Sequence, residues 1–215
     1  MKKEKDGEDA LKKSFQPGLN RQVCEIFAGE YHASRENNIV FTTLLGSCIS
    51  VCLKDSCLGM CGINHFMLPG HPGNAGALPA EDARYGLCAM EKLISDMEKL
   101  GARKANLQAK VFGGGQVLDV ALNNVARMNV DFILAYMEAE KIPLLTSDLG
   151  GKYGRKLFFY ADTFDVYLRR IQMARDMGAA LAREKRFMQW AHRYGKLEDK
   201  KNMAGKERRA MNSQE

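Results

Sequence analysis

The chain has 215 residues, 46% of them apolar and 27% charged, which suits one globular domain with tails and a sizeable core. No apolar run approaches the roughly 20 residues that cross a bilayer. The charged opening MKKEKDGEDALKK has no hydrophobic stretch behind it, so neither a membrane span nor a secretory signal is expected. The net charge of +6 is uneven: from Arg169 onward thirteen Lys/Arg face six Asp/Glu, while the preceding chain is near neutral. A basic tail suits nucleic acid, anionic lipid or an acidic protein surface, and composition alone does not choose among them.

In chain order, residues 1–20 are polar and charge-mixed and end in QPGLN, which predicts a flexible arm. Short strands follow between Val23 and Phe41, broken by the turn-rich link GEYHASRENN. NIVFTTLL is β-branched and aromatic, hence a strand, interrupted by Gly46-Ser47. In CISVCLKD, alternation puts Ile49, Val51 and Leu53 on one face and Cys48, Ser50 and Cys52 on the other. MCGINHFMLP reads as the partner strand of a hairpin, and GHPGNAGALP as a long Gly/Pro loop of the kind that often carries function. A helix is expected from Glu81 to Leu100, with acidic residues in its first turn and Gly101 as its stop. ANLQAKVFGG is a strand running into Gly113-Gly114-Gly115. A second helix spans Asn123 to Lys141, with Val125, Met128, Phe132 and Ala135 inward. KIPLLTSDLGG is a short strand, and RKLFFYADTFDVYLRRI a hairpin turning near Asp162 to Asp165. A third, amphipathic helix is expected from Gln172 to about Arg193, before a polar end.

Six cysteines in a chain without a secretory signal point to the reducing cytosol, and so away from a disulfide framework. A metal site fits poorly. No C-x2-C knuckle is present, and strand residues four apart lie roughly 13 Å from each other, too far to share one tetrahedral zinc. Buried filler is the plain reading of Cys24, Cys52, Cys57, Cys61 and Cys88. Cys48 differs by following a glycine that can bend the backbone at a strand start, where turn amides can face a developing oxyanion. Its nearest candidate base is His65 on the adjoining strand; by spacing alone this pair is a modest signal. FGGGQ lacks the G-K-[ST] ending of a phosphate loop, so its glycines are read as letting backbone pass close to the active site or a substrate helix. Arg155, in GGKYGRK, suits either a structural role or a surface that meets a partner.

Several segments together resemble the CheD family of chemoreceptor glutamine deamidases: GEYHAS, TTLLGSCISVCLKD, GINHFMLP, KVFGGG, RMNVDFILAYMEAEKIPLLTSDLGGKYGRKLFFY and VYLRRI, in family order from about Gln22 to Ile171. The resemblance implies a single α/β (α+β) domain with a mixed β-sheet and flanking helices, similar to the catalytic domain of deamidating bacterial toxins. That domain would span residues 21–171, with the arm before it and a basic helical extension, 172–215, after it. The family's catalytic cysteine falls on Cys48, its histidine on His65, and its threonine, six residues before the cysteine, on Thr42, next to a second threonine at 43.

The activity implied is hydrolysis of glutamine side chains to glutamate on methyl-accepting chemotaxis receptors, in the cytoplasm or at membrane receptor arrays, where a methyltransferase can then modify the product. In triad logic the threonine orients the imidazole. No metal or organic cofactor, and no nucleic acid, is called for. The alternative is a receptor-bound adaptor that partners a CheC-type phosphatase with little catalysis, and methylesterase activity on receptor glutamyl esters would use the same nucleophile.

Overall fold

The computed structural model describes residues 13–16, 21–69, 83–117 and 120–171, with 178 and 182, both helical. Ten strands, numbered in chain order, divide into two five-stranded sheets. The first runs β1 (Lys13–Gln16), β2 (Arg21–Glu25), β4 (Ile39–Leu45), β9 (Gly154–Tyr160), β10 (Val166–Ile171) across its width. The second runs β3 (Tyr31–Ser34), β6 (Cys61–Asn64), β5 (Ile49–Asp55), β7 (Leu107–Gly113), β8 (Leu144–Leu149). Both are mixed: β2 with β4 and β7 with β8 are parallel, and the remaining pairs are antiparallel. The expected mixed-sheet domain is present, with its strands divided over two sheets.

Alternation fixes how the layers stack. Phe41, Leu45, Leu157 and Phe159 of the first sheet meet Cys52, Ile63 and Phe112 of the second in one buried cluster. The opposite face of the second sheet, with Ile49, Val51, Leu53 and Val111, packs against helices α1 (Gly86–Lys99) and α2 (Val120–Ala139). The order is sheet, sheet, helices, and β5 is buried on both faces because it lies in the middle layer. Both helices end in the same backbone motif. After α1, Gly101 (φ 101) donates to Glu98 O and Ala102 to Met97 O. After α2, Lys141 (φ 54) stands in the glycine's place, with Ile142 N donating to Met137 O at 3.0 Å.

Several expectations are revised. Residues 13–16 of the arm form β1, paired with β2, because Lys13 to Gln16 extend an existing strand edge. Tyr31–Ser34, read as part of a link, is β3, recruited by antiparallel pairing with β6. Helix α1 begins at Gly86 after Tyr85, a turn later than expected, and Glu81 and Asp82 lie outside the described residues. The inward line of α2 is Ala126, Asn129, Ile133 and Met137, while Met128 is 53% exposed. The Gly/Pro loop with His71, and all but two residues of the third helix, also lie outside the described residues.

Candidate active site

The chain passes from the first sheet to the second through Gly46-Ser47-Cys48, between the end of β4 and the start of β5. All three carbonyls of this crossing are held. Gly115 N donates to Gly46 O at 2.7 Å, and Gly114 N to Cys48 O at 2.8 Å. Asn129 Nδ2 of α2 donates to Ser47 O at 3.0 Å. A trans peptide points its N–H opposite to its C=O. The Cys48 N–H therefore points away from Asn129.

The glycine run explains how two backbones approach this closely. A Cβ on Gly113, which has φ 121, would lie 2.1 Å from Cys48 O, and one on Gly115 would lie 2.4 Å from Tyr153 O. The run is a close-approach device, as its sequence suggested. Behind it, Arg155 is wholly buried: its Nε donates to Asp148 Oδ1 at 2.9 Å and its Nη2 to Gly150 O at 2.7 Å. Of the two roles open to Arg155, the structural one holds, because no part of the guanidinium reaches the surface.

His65 follows β6 directly, where the backbone leaves its regular ladder with β5. Its N–H donates to Glu30 O and its carbonyl accepts from Gly29 N, at 2.9 and 2.7 Å. One residue on, Phe66 and Ile49 exchange both backbone hydrogen bonds, at 2.9 and 3.0 Å. That register makes Cys48 and His65 diagonal neighbours across the strand pair. Diagonal residues are separated by about 7–8 Å at the backbone, a span that a thiol and an imidazole leaning together can close. Both side chains are directed toward the first sheet: Cys48 packs in the inter-sheet cluster, and His65 reaches a threonine of β4.

That threonine is Thr43. Its Oγ1 lies 2.8 Å from His65 Nδ1 and donates to Ile26 O at 2.6 Å. A hydroxyl has one proton, so with that proton on Ile26 O the oxygen accepts from Nδ1–H. The imidazole is thereby set as the Nδ1–H tautomer with its lone pair on Nε2, and Nε2 is buried without a hydrogen-bond partner. Burial lowers the His65 pKa to about 4, only partly offset by the Ile26 carbonyl, so the ring is neutral at pH 7. The arrangement is that of a general base.

Thr43, and not the expected Thr42, is the threonine within hydrogen-bond distance of this ring. Thr43 shares the inter-sheet face with Phe41 and Leu45, so Thr42 and Leu44 point from the opposite face of β4, away from the second sheet.

The other cysteines separate by environment. Cys24, Cys52, Cys61 and Cys88 are buried, and Cys57 is exposed, so filler is the wrong reading for Cys57, which follows β5 in a surface turn. Burial raises the Cys52 thiol well above its usual range and Cys61 to about 12, which keeps both protonated. Cys61 Sγ donates to Ala161 O at 3.1 Å. Among the described residues no group of three or more His, Cys, Asp or Glu side chains is arranged to hold a metal ion. Among them, too, no helix is long and apolar enough to cross a membrane. His32, half-buried, packs on the Phe41 ring with centroids 5.5 Å apart. Of the residues beside this site, Thr43 was named in the sequence only as the neighbour of Thr42, and Asn129 was not singled out. The first was marked by its parity with Phe41 and Leu45, the second by being polar in the apolar stripe of α2.

Residues 67–170 match the family model described as CheD chemotactic sensory transduction, a stretch that begins two residues beyond His65. The chain is 45% identical over 155 residues to a probable chemoreceptor glutamine deamidase CheD 1 of Shewanella oneidensis, covering 72% of this chain and 75% of that protein. It is 42% identical over 163 residues to a probable chemoreceptor glutamine deamidase CheD 2 of Chromobacterium violaceum, covering 75% and 79%. A probable chemoreceptor glutamine deamidase CheD of Cupriavidus metallidurans is 38% identical over 180 residues, covering 82% and 80%.

Proposed function

The chain belongs to the CheD family, and we propose that it hydrolyses glutamine side chains of chemoreceptors to glutamate with Cys48 as nucleophile and His65 as base. The observation that carries the catalytic assignment is the imidazole held through Nδ1 by Thr43, with a bare Nε2, across the strand pair from the cysteine turn.

In the first half-reaction the Cys48 thiol proton moves to His65 Nε2 as Sγ bonds to the glutamine Cδ. Negative charge gathers on the carboxamide oxygen. The Cys48 N–H, directed away from Asn129, is the donor proposed to meet it. Collapse of the tetrahedral adduct breaks the C–N bond; nitrogen takes the proton from Nε2–H and leaves as ammonia. In the second half-reaction a water gives a proton to Nε2 and adds to the thioester. Sγ departs, regains a proton, and releases glutamate. The low pKa of His65 favours a neutral thiol and imidazole at rest over a preformed ion pair. No step draws on a metal or organic cofactor.

The substrate would be glutamine on the cytoplasmic helical bundle of methyl-accepting receptors, which places the enzyme at receptor arrays. Binding of a CheC-type phosphatase is a second proposed contact, and it would survive loss of Cys48. Iodoacetamide tests the nucleophile: exposed Cys57 is labelled as well, and receptor deamidation should fall in step with the label at Cys48 and not with that at Cys57. Complete Cys48 labelling with deamidation intact would end the assignment.

A further inference from the structure

We propose that Asn129 is a positioning residue of this active site, a carboxamide that fixes the nucleophile turn against the strand that carries the base. Its Nδ2 donates to Ser47 O at 3.0 Å and to Met67 O at 2.9 Å. Ser47 O belongs to the peptide whose N–H is that of Cys48, and Met67 lies two residues beyond His65. One side chain from the helical layer thus spans both catalytic segments.

Regular strand pairing does not do this work. Between the Ile49–Phe66 exchange and the ladder that starts at Cys52–Ile63, the two strands are joined through side chains. Val51 N donates to Asn64 Oδ1 at 3.0 Å, and Ser50 Oγ donates to Asn64 O at 2.7 Å. His65 itself is paired to Glu30 and Gly29. The relation of Cys48 to His65 is therefore set by the single backbone exchange at Ile49, by the Asn64 contacts on one side of it and by Asn129 on the other.

The chemistry of the amide sets its orientation. Two carbonyls call for two N–H donors on one atom, and a flipped amide would turn Oδ1 against both of them. Oδ1 is left buried without a partner. Asn129 is wholly buried on the same stripe as Ala126 and Ile133, where an apolar side chain would leave no orphaned acceptor. The bridge thus accounts for an asparagine at a core position. Donation to Ser47 O also polarises that peptide and makes the Cys48 N–H a stronger donor to an oxyanion. The effect should appear in turnover and leave receptor binding unchanged.

The inference rests on Cys48 and His65 as nucleophile and base. Asn129→Asp keeps the shape and loses both donors; Asn129→Ser is short and neutral. Each is compared with the wild type in receptor deamidation, thermal unfolding, and the pH dependence of iodoacetamide alkylation at Cys48. Expected per folded molecule are a kcat about 10²-fold lower, as for a small misplacement of reacting groups, and an unchanged KM. The alkylation profile should lose its base-assisted rate near neutral pH, where His65 takes the thiol proton as alkylation proceeds. Folded variants with wild-type kcat and an unmoved profile would overturn the inference, as would activity lost only in proportion to unfolded protein. Should neither variant fold, the wild type decides by side-chain amide NMR: both Asn129 Nδ2 protons must be protected from exchange, and rapid exchange sinks the bridge. Cys48→Ala runs alongside. If it retains deamidation, the nucleophile assignment fails; if it loses deamidation while the Asn129 variants behave as wild type, only the positioning role fails.

Discussion

Replacing Thr43 by valine removes one oxygen and keeps the shape, and it separates two adjacent threonines that the sequence could not. The lost hydroxyl accepts from His65 Nδ1 at 2.8 Å and donates to Ile26 O at 2.6 Å, both inside the protein. Leaving a buried polar group unpaired costs about 1–3 kcal/mol. Two are exposed to that loss, but the Ile26 carbonyl also interacts with the imidazole and can recover part of it. A net cost of about 2 kcal/mol is expected, or roughly 4–8 °C in Tm for a domain of this size.

The catalytic effect has a different origin. Without Thr43 only the Ile26 carbonyl is left to select the Nδ1–H tautomer, and a proton on Nε2 cancels the base. General-base catalysis contributes about 10²–10⁴-fold, so a fall in kcat of at least about 10²-fold is expected. Thr43→Ser should retain most activity. Thr42→Val, on the other face of β4, should stay within about 0.5 kcal/mol and a few-fold of wild-type turnover. Deamidation of a receptor fragment, followed by peptide mass analysis, and thermal unfolding read both effects. If Thr43→Val works normally while Thr42→Val is inactive, the orienting residue has been misassigned.

Stability should fall on acidification through His65. Its folded pKa of about 4 lies below the ordinary histidine value of 6.5, so the unfolded chain takes up a proton first. The contribution is complete above about pH 6.5 and lost by about pH 4, roughly 3 kcal/mol in all, and denaturant titrations of wild type and His65→Gln should differ by that slope. Parallel curves would contradict it. Gly113→Ala puts a Cβ 2.1 Å from Cys48 O at φ 121, so it should lose both stability and turnover, and a fully active, stable variant would exclude the close approach. Arg155→Met removes a wholly buried cation from Asp148, which keeps Arg170 at 3.0 Å, so it should destabilise by about 1–3 kcal/mol and leave turnover per folded molecule near wild type; intact folding with turnover lost would return Arg155 to the site.

What the sequence could reveal was set by where periodicity is strong. The strands around Cys48 and the last hairpin stood out because β-branched and aromatic residues alternate over seven positions bounded by turns. The strand at Tyr31–Ser34 was hidden, since four residues carry little pattern and its pairing with β6 is a tertiary event. In α2 the apolar residues circle much of the helix, so the inward line was misread, and with it a buried polar residue, Asn129. Cys48 and His65 were legible as a pair through the turn and the hairpin. The threonine was not, because family spacing pointed to Thr42, whereas the parity of β4 is fixed only once Phe41 and Leu45 are known to face the second sheet.

The most direct test of the assigned nucleophile is conversion of glutamine to glutamate on a chemoreceptor cytoplasmic fragment, followed peptide by peptide with wild type, Cys48→Ala, His65→Ala and Cys52→Ala. Expected are conversion by wild type and by folded Cys52→Ala, whose thiol burial holds protonated, and none by Cys48→Ala or His65→Ala. Wild-type conversion by folded Cys48→Ala would contradict the assignment outright.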